Sequence, residues 1–147
     1  MKYVISACLV GEKCKYDGGS NPHAKVKERF EGGDSIAVCP EVLGGLPVPR
    51  ARTELERTGA EVIAGASRVI NEDGIDVTDA FLSGSYQALE QAQKAGITCA
   101  ILKARSPSCG CKTIYAGAFD GTTKEGSGVF AALLEKNDFV IRTEEDI

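Results

Sequence analysis

The stretch Tyr3-Val4-Ile5-Ser6-Ala7-Cys8 is an apolar run that ends on a thiol. The pattern recurs twice. Ser35-Ile36-Ala37-Val38 leads into Cys39, and Cys99-Ala100-Ile101-Leu102-Lys103 leads through a short bend, 104–108, to Cys109. Short apolar runs bounded by turn residues read as buried strands. Helical segments lie between them, and strands alternating with helices predict a mostly parallel sheet with right-handed crossovers. In an open α/β sheet, ligands bind in the crevice outside the carboxyl ends of the strands. Cys8, Cys39 and Cys109 are therefore expected to meet at one sheet edge. Three thiolates meeting there suit an iron–sulfur cluster or a soft metal.

Outward from these strands, the first is expected over 2–7. Asn21-Pro22 looks like a helix cap with proline at the first helical position, and Gly32-Gly33 would stop that helix after about Phe30. Residues 35–38 form the second strand. Residues 40–54, rich in Pro, Gly and Arg, read as a loop. Residues 60–63 suggest a short strand. Arg68–Asn71 and Ile75–Val77 flank Glu72-Asp73-Gly74, a hairpin signal, so a small hairpin insertion is expected here. Thr78 caps a long helix with Leu82, Tyr86, Leu89 and Gln93 on one face, closed by Gly96. The third strand covers 97–103 and a Cys/Ser/Gly loop covers 104–112. Ile114–Phe119 is extended, the glycine-rich 121–128 is a loop, Val129–Glu135 is a helix and Phe139–Ile141 is a last strand.

The chain has 147 residues and a formal net charge of -4. That is the length of one ordinary domain, 1–147, able to bury roughly 68–70% of its unfolded surface without disulfide staples. An acidic balance with no basic stretch argues against general nucleic-acid binding. The apolar runs are too short to span a bilayer. The first residues read as a strand rather than a leader, so the cytoplasm is expected, where clustered cysteines mean metal or catalysis more often than disulfides.

Three segments carry the chemistry. The first is Cys8-Leu9-Val10-Gly11-Glu12-Lys13-Cys14-Lys15-Tyr16-Asp17-Gly18-Gly19. The second is Cys39-Pro40-Glu41-Val42-Leu43-Gly44-Gly45-Leu46-Pro47-Val48-Pro49-Arg50, where Glu41 sits two residues past a thiol. The third is Lys103-Ala104-Arg105-Ser106-Pro107-Ser108-Cys109-Gly110-Cys111, with two serines and a thiol beneath two basic residues. Each has a plainer reading. Free cysteines are often buried core, as Cys99 is expected to be. Cys14 and Cys111 are open between ligand, redox partner and spare thiol. Glu41 alone would be a solvated loop carboxylate, and lone serines usually serve turns or caps. His23 is the only histidine. Ser-His-Asp and Cys-His mechanisms need a histidine base, and a residue just past a helix-starting proline is more naturally on the surface. The 121–128 stretch matches neither the P-loop nor the dinucleotide fingerprint.

Taken together, Cys8-Leu-Val-Gly with Lys15-Tyr-Asp-Gly18, Cys39-Pro-Glu with Gly44-Gly-Leu and Pro49-Arg50, Asp76-Val-Thr-Asp-Ala-Phe81, and Leu102-Lys with Ser106-Pro-Ser-Cys-Gly110 resemble the thiouracil desulfidase family over nearly the whole chain. The resemblance implies a three-layer Rossmann-like α/β fold and an oxygen-sensitive 4Fe–4S cluster held by Cys8, Cys39 and Cys109. It places the catalytic carboxylate on Glu41 and the catalytic hydroxyl on Ser106. The implied reaction is hydrolytic removal of sulfur from a small thiolated pyrimidine, with release of sulfide. Three protein ligands would leave one iron open as a Lewis acid. Glu41 would act as base toward water and Ser106 would orient the ring or relay a proton. Lys103, Arg105 and Arg50 are candidates for balancing charge or receiving an anionic substrate. Two other functions compete. One is a zinc protein in which Cys14 or Cys111 completes the set, although structural zinc favours pairs separated by two to four residues. The other is a non-catalytic iron–sulfur or sulfur carrier.

Overall fold

The computed structural model describes residues 2–147; Met1, read with the first strand, lies outside them. Four strands form a parallel sheet: β1 (Val4–Ser6), β2 (Ile36–Val38), β5 (Cys99–Leu102) and β8 (Val140–Thr143), in the order β2-β1-β5-β8. Parallel strands need long crossovers. The crossover from β1 to β2 carries α1 (Ala24–Glu31), the return toward β5 carries α4 (Thr78–Lys94), and α5 (Val129–Lys136) precedes β8. β1 hands the chain to β2 on one side and β5 hands it to β8 on the other. The carboxyl ends of β1 and β5 therefore bound a topological switch point, the usual place for a ligand crevice.

The sheet is covered on both faces. On one, Val26 of α1 packs with Leu9 onto Ile5 and Ile101. On the other, Ala88, Leu89 and Ala92 of α4 and Phe130, Leu133 and Leu134 of α5 pack onto Val4, Val38, Ala100 and Leu102. These are three layers, as expected. Burying one such aliphatic or aromatic side chain contributes about 1.5–3 kcal/mol.

The insertion is larger than a hairpin. β3 (Thr53–Leu55) pairs antiparallel with β4 (Val69–Asn71), and α3 (Gly59–Ile63) lies between them. Residues 60–63 are thus helical, because Thr58 accepts the Glu61 N–H at 3.3 Å and caps the turn. The Asp-Gly hairpin forms as expected: the Asn71 N–H donates to the Ile75 carbonyl and the Val77 N–H to the Val69 carbonyl, both at 2.9 Å, around an antiparallel bridge between Ile70 and Asp76. A second ribbon pairs β6 (Thr113–Tyr115) with β7 (Thr123–Glu125), so part of the stretch expected as loop is a strand. It is held by Lys124, whose ammonium donates to the carbonyls of Leu55, Glu56 and Ala116 at 3.0–3.2 Å.

Three helix assignments also shift. The cap of α1 is His23, not Asn21: His23 Nδ1 accepts the Val26 N–H at 3.4 Å. Residues 40–43 form the short helix α2, started by Pro40 after an extended Cys39. On α4 the buried side carries Phe81, Gly84, Ser85, Ala88, Leu89 and Ala92, while Tyr86 and Gln93 are exposed. The physical reason is α2. A Cβ on Gly84 would lie 1.6 Å from the Pro40 carbonyl oxygen, and one on Gly44 would lie 2.0 Å from that of Ala80. The backbones touch there, so Gly84 faces α2, and Ser85 and Ala88 are buried where Tyr86 and Gln93 turn outward.

That contact generates a prediction. Gly84→Ala should destabilise the fold by about 1–3 kcal/mol through overpacking. Urea unfolding checks it, and an unchanged midpoint would mean the helices are free to part.

Candidate functional site

Loops from the carboxyl edge of the sheet enclose a cavity of about 460 Å³. Cys8, Cys39, Cys109, Glu41 and Ser106 all line it, so the structure brings the five expected residues together. Cys8 sits in a single 3-10 turn, Ala7–Val10, entered directly from β1 and closed by Gly11 at a φ of 97°, which glycine adopts without strain. Cys39 follows β2 and precedes α2, which carries Glu41 on its first turn. Cys109 closes the bend after β5. The residue is 4% exposed. All six cysteines are free.

The remaining thiols separate. Cys14 is buried and lines the same cavity. Cys99 begins β5, at the opposite end of that strand from the cavity, and is half-buried rather than core. Cys111 is outside the cavity lining, with its sulfur 3.9 Å from Glu135 Oε1.

The thiols differ in acidity. Contact with the Cys14 thiol holds Cys39 below the ordinary thiol range, although burial opposes this, and the same contact raises Cys14. Cys39 Sγ also lies 3.9 Å from the Cys14 carbonyl oxygen. Burial pushes Cys8 and Cys109 upward. A hydrogen bond from Asn21 tempers the first, and bonds from Ser6 and Ser108 temper the second.

Glu41 is not a solvated carboxylate. Its side chain is 12% exposed and forms an ion pair with Arg50, itself 7% exposed. Arg50 Nη2 also donates to the Cys14 carbonyl at 2.8 Å, and its backbone N–H donates to the Tyr16 carbonyl at 2.7 Å. One guanidinium therefore ties the Cys14 loop to the Glu41 helix. The other carboxylate oxygen, Oε1, accepts the Ser108 hydroxyl at 3.0 Å.

Two expected cations are already matched. Lys103 Nζ lies 2.8 Å from Glu144, and Arg105 holds Glu145 through two bonds of 3.0 Å. The last turn of the chain thus compensates both, and Arg50 serves Glu41. Asn21, read as a cap, instead lines the cavity, and its backbone N–H donates to the Cys8 carbonyl at 3.0 Å. Ser6, Tyr16 and Tyr115 also line it. Their signal in the sequence was proximity to the strand ends and nothing more specific. His23, at a helix cap, is absent from the lining.

An α/β fold with free thiols, a buried acid and paired hydroxyls around one switch-point cavity has the form of a metallocluster enzyme. The profile of the 2-thiouracil desulfurase family matches residues 3–146, and the chain belongs to that family. A curated relative, the uncharacterized protein YbbK of Bacillus subtilis (strain 168), is 34% identical over 145 residues, covering 98% of this chain and 96% of its own. A solved structure described as the 4Fe–4S-dependent thiouracil desulfidase TudS is 38% identical, with a TM-score of 0.87 over 99% of this chain and 92% of that one.

The thiol acidities yield a test. In cluster-free protein, iodoacetamide should alkylate Cys39 at lower pH than Cys8 or Cys109, because alkylation tracks the thiolate. Cys14→Ala should remove that advantage. Peptide mass spectrometry across a pH series reads both, and equal labelling of the three thiols would contradict the assignment.

Proposed function

We propose that this chain hydrolytically removes sulfur from a small thiolated pyrimidine such as thiouracil, releasing sulfide, with a 4Fe–4S cluster held by Cys8, Cys39 and Cys109. The observation that carries the reading is that three free thiols from three strand-end loops open on one cavity beside a buried, oriented carboxylate. Family membership and likeness to a 4Fe–4S-dependent thiouracil desulfidase support it. The donor set fits a multi-iron group. Among the described residues, no three Cys, His, Asp or Glu side chains close on a point that one metal ion would occupy. Thiols spread around a cavity suit a cluster with several irons better than the single zinc of the competing reading.

When bound, the cluster would supply an open iron as a Lewis acid toward the thiocarbonyl sulfur. The chain's own residues do the rest. Glu41 takes a proton from the water that attacks the C–S carbon. Ser106 donates a hydrogen bond that orients the ring. The walls around Tyr16 and Tyr115 offer flat apolar surface to a planar heterocycle. The products are the oxygen analogue and sulfide, so the net reaction consumes only water. A carrier would have little need of a carboxylate beside the cluster ligands.

Anaerobically prepared protein is expected to contain iron and acid-labile sulfide and to release sulfide from 2-thiouracil. Cys8→Ser, Cys39→Ser and Cys109→Ser should each lose iron. Glu41→Gln should keep it while turnover falls by about 10²–10⁴-fold, the usual contribution of an acid–base group. Iron without sulfide release from any thiolated pyrimidine would favour the carrier, and zinc in place of iron would overturn the reading.

A further inference from the structure

We propose that Ser108 is a positioning residue that joins Ser106 and Glu41 in a one-way hydrogen-bond chain and fixes the aim of the carboxylate. This rests on the reading in which Glu41 and Ser106 serve the reaction, and it adds a residue to which that reading gives no part.

The direction follows from counting protons. A serine hydroxyl has one proton and two lone pairs. Ser106 Oγ accepts two backbone N–H groups, from Ser108 at 3.3 Å and from Cys109 at 3.1 Å. With both lone pairs engaged, Ser106 has only its proton left to offer. Its oxygen lies 3.2 Å from Ser108 Oγ, so in that contact Ser106 is the donor. Ser108 then directs its own proton elsewhere. Two acceptors are in reach: Glu41 Oε1 at 3.0 Å and Cys109 Sγ at 3.6 Å. The carboxylate is closer and charged, and charge-assisted bonds are the stronger ones. The chain therefore runs from Ser106 to Ser108 to Glu41.

Its two ends differ. Ser106 is half-buried on the cavity wall, while Ser108 is 2% exposed. Glu41 has Ser108 on Oε1 and Arg50 on Oε2, so neither oxygen is free to turn. A bound ring that accepts the Ser106 proton takes Ser108's place as acceptor. The bond from Ser108 to Glu41 is untouched by that exchange. Ser106 can engage and release a ligand while the carboxylate keeps its direction.

The loop is built to hold this geometry. The Pro107 and Ser108 carbonyls accept the N–H groups of Val129 and Ala131 at 3.0 Å, and Gly110 N–H returns to the Ser106 carbonyl at 2.8 Å. A Cβ on Gly128 would stand 2.6 Å from the Pro107 oxygen, so the first turn of α5 presses directly on the loop. Supporting bonds of this kind keep a reactive constellation in place.

The test uses anaerobically prepared holoprotein. Ser108→Ala should keep its iron, hold KM for 2-thiouracil within about threefold and lower kcat by about 10–100-fold, the scale of a misaimed group. Because Ser106 engages the ring while Ser108 aims Glu41, the losses of the two single variants should roughly multiply in Ser106→Ala/Ser108→Ala. Crystal structures supply the second readout. In Ser108→Ala the Glu41 carboxylate should rotate off its present position. In Ser106→Ala it should stay, because Ser106 lies upstream. A double variant no slower than the slower single one, a Glu41 that keeps its place without Ser108, a Glu41 that moves without Ser106, or iron lost from Ser108→Ala would each overturn the proposal. A parent protein that releases no sulfide would defeat the functional reading alone, since the two structures still decide whether Ser108 aims Glu41.

Discussion

Everything at the site depends on the parallel register of β1 with its two neighbours. Val4 is level with Ile36 on one side and Ala100 on the other. Strands in register and pointing the same way end at the same height, so the residues that follow them emerge at one edge. Cys8, Cys39 and the bend toward Cys109 are placed by that geometry before any attraction between them acts. Ser6 reinforces it, since its hydroxyl oxygen accepts the Lys103 N–H at 2.9 Å and pins the exit of β5 to that of β1. A one-residue slip would carry a thiol to the opposite face, because side chains alternate along a strand.

Charge at the site is settled locally. Glu41 and Arg50 are both withdrawn from water, and losing one partner of such a pair leaves a buried charge uncompensated, at a cost of about 3–5 kcal/mol. That asymmetry makes Arg50 more than a counter-ion. Its Nη2 reaches both Glu41 and the Cys14 carbonyl, so a shift of the Cys14 loop is felt at the carboxylate. The cations nearer Cys109 are handled differently. Lys103 and Arg105 pair with Glu144 and Glu145, while Arg50 is the cation paired with Glu41.

What the sequence revealed divides by physical cause. Apolar runs mark strands because burial is written in residue type, so β1, β2, β5 and β8 were legible, and with them the convergence of three thiols. Glu41 and Ser106 were singled out by adjacency to those thiols and by family resemblance, not by any periodic signal, and both line the same cavity. The hairpin of β6 and β7 and the helix α3 were not legible. Their residues are short, glycine-rich or ambiguous in period, and what decides them is tertiary: Lys124 gathering three carbonyls, Thr58 capping a turn. The face of α4 was misjudged in half: Leu82 and Leu89 pack inward as expected, while Tyr86 and Gln93 are exposed. Hydrophobicity pointed to Tyr86, whereas contact distance selected Gly84 and Ala88.

That misjudgement bears on the chemistry. Glu41, the proposed base, stands on a helix of only four residues, too short to hold itself in water. Its position comes from α4, which approaches so closely that no side chain fits between Gly84 and the Pro40 carbonyl. The opposing hydroxyl, Ser108, is placed in the same manner by α5 through Gly128. Two helix contacts made of glycine and backbone thus set the separation of acid and hydroxyl from opposite sides. Backbone contacts have no rotamers to relax, so the packing of the fold sets the backbone spacing across which Ser108 and Glu41 form their 3.0 Å bond. The small residues at these contacts serve function as directly as the polar residues they bring together.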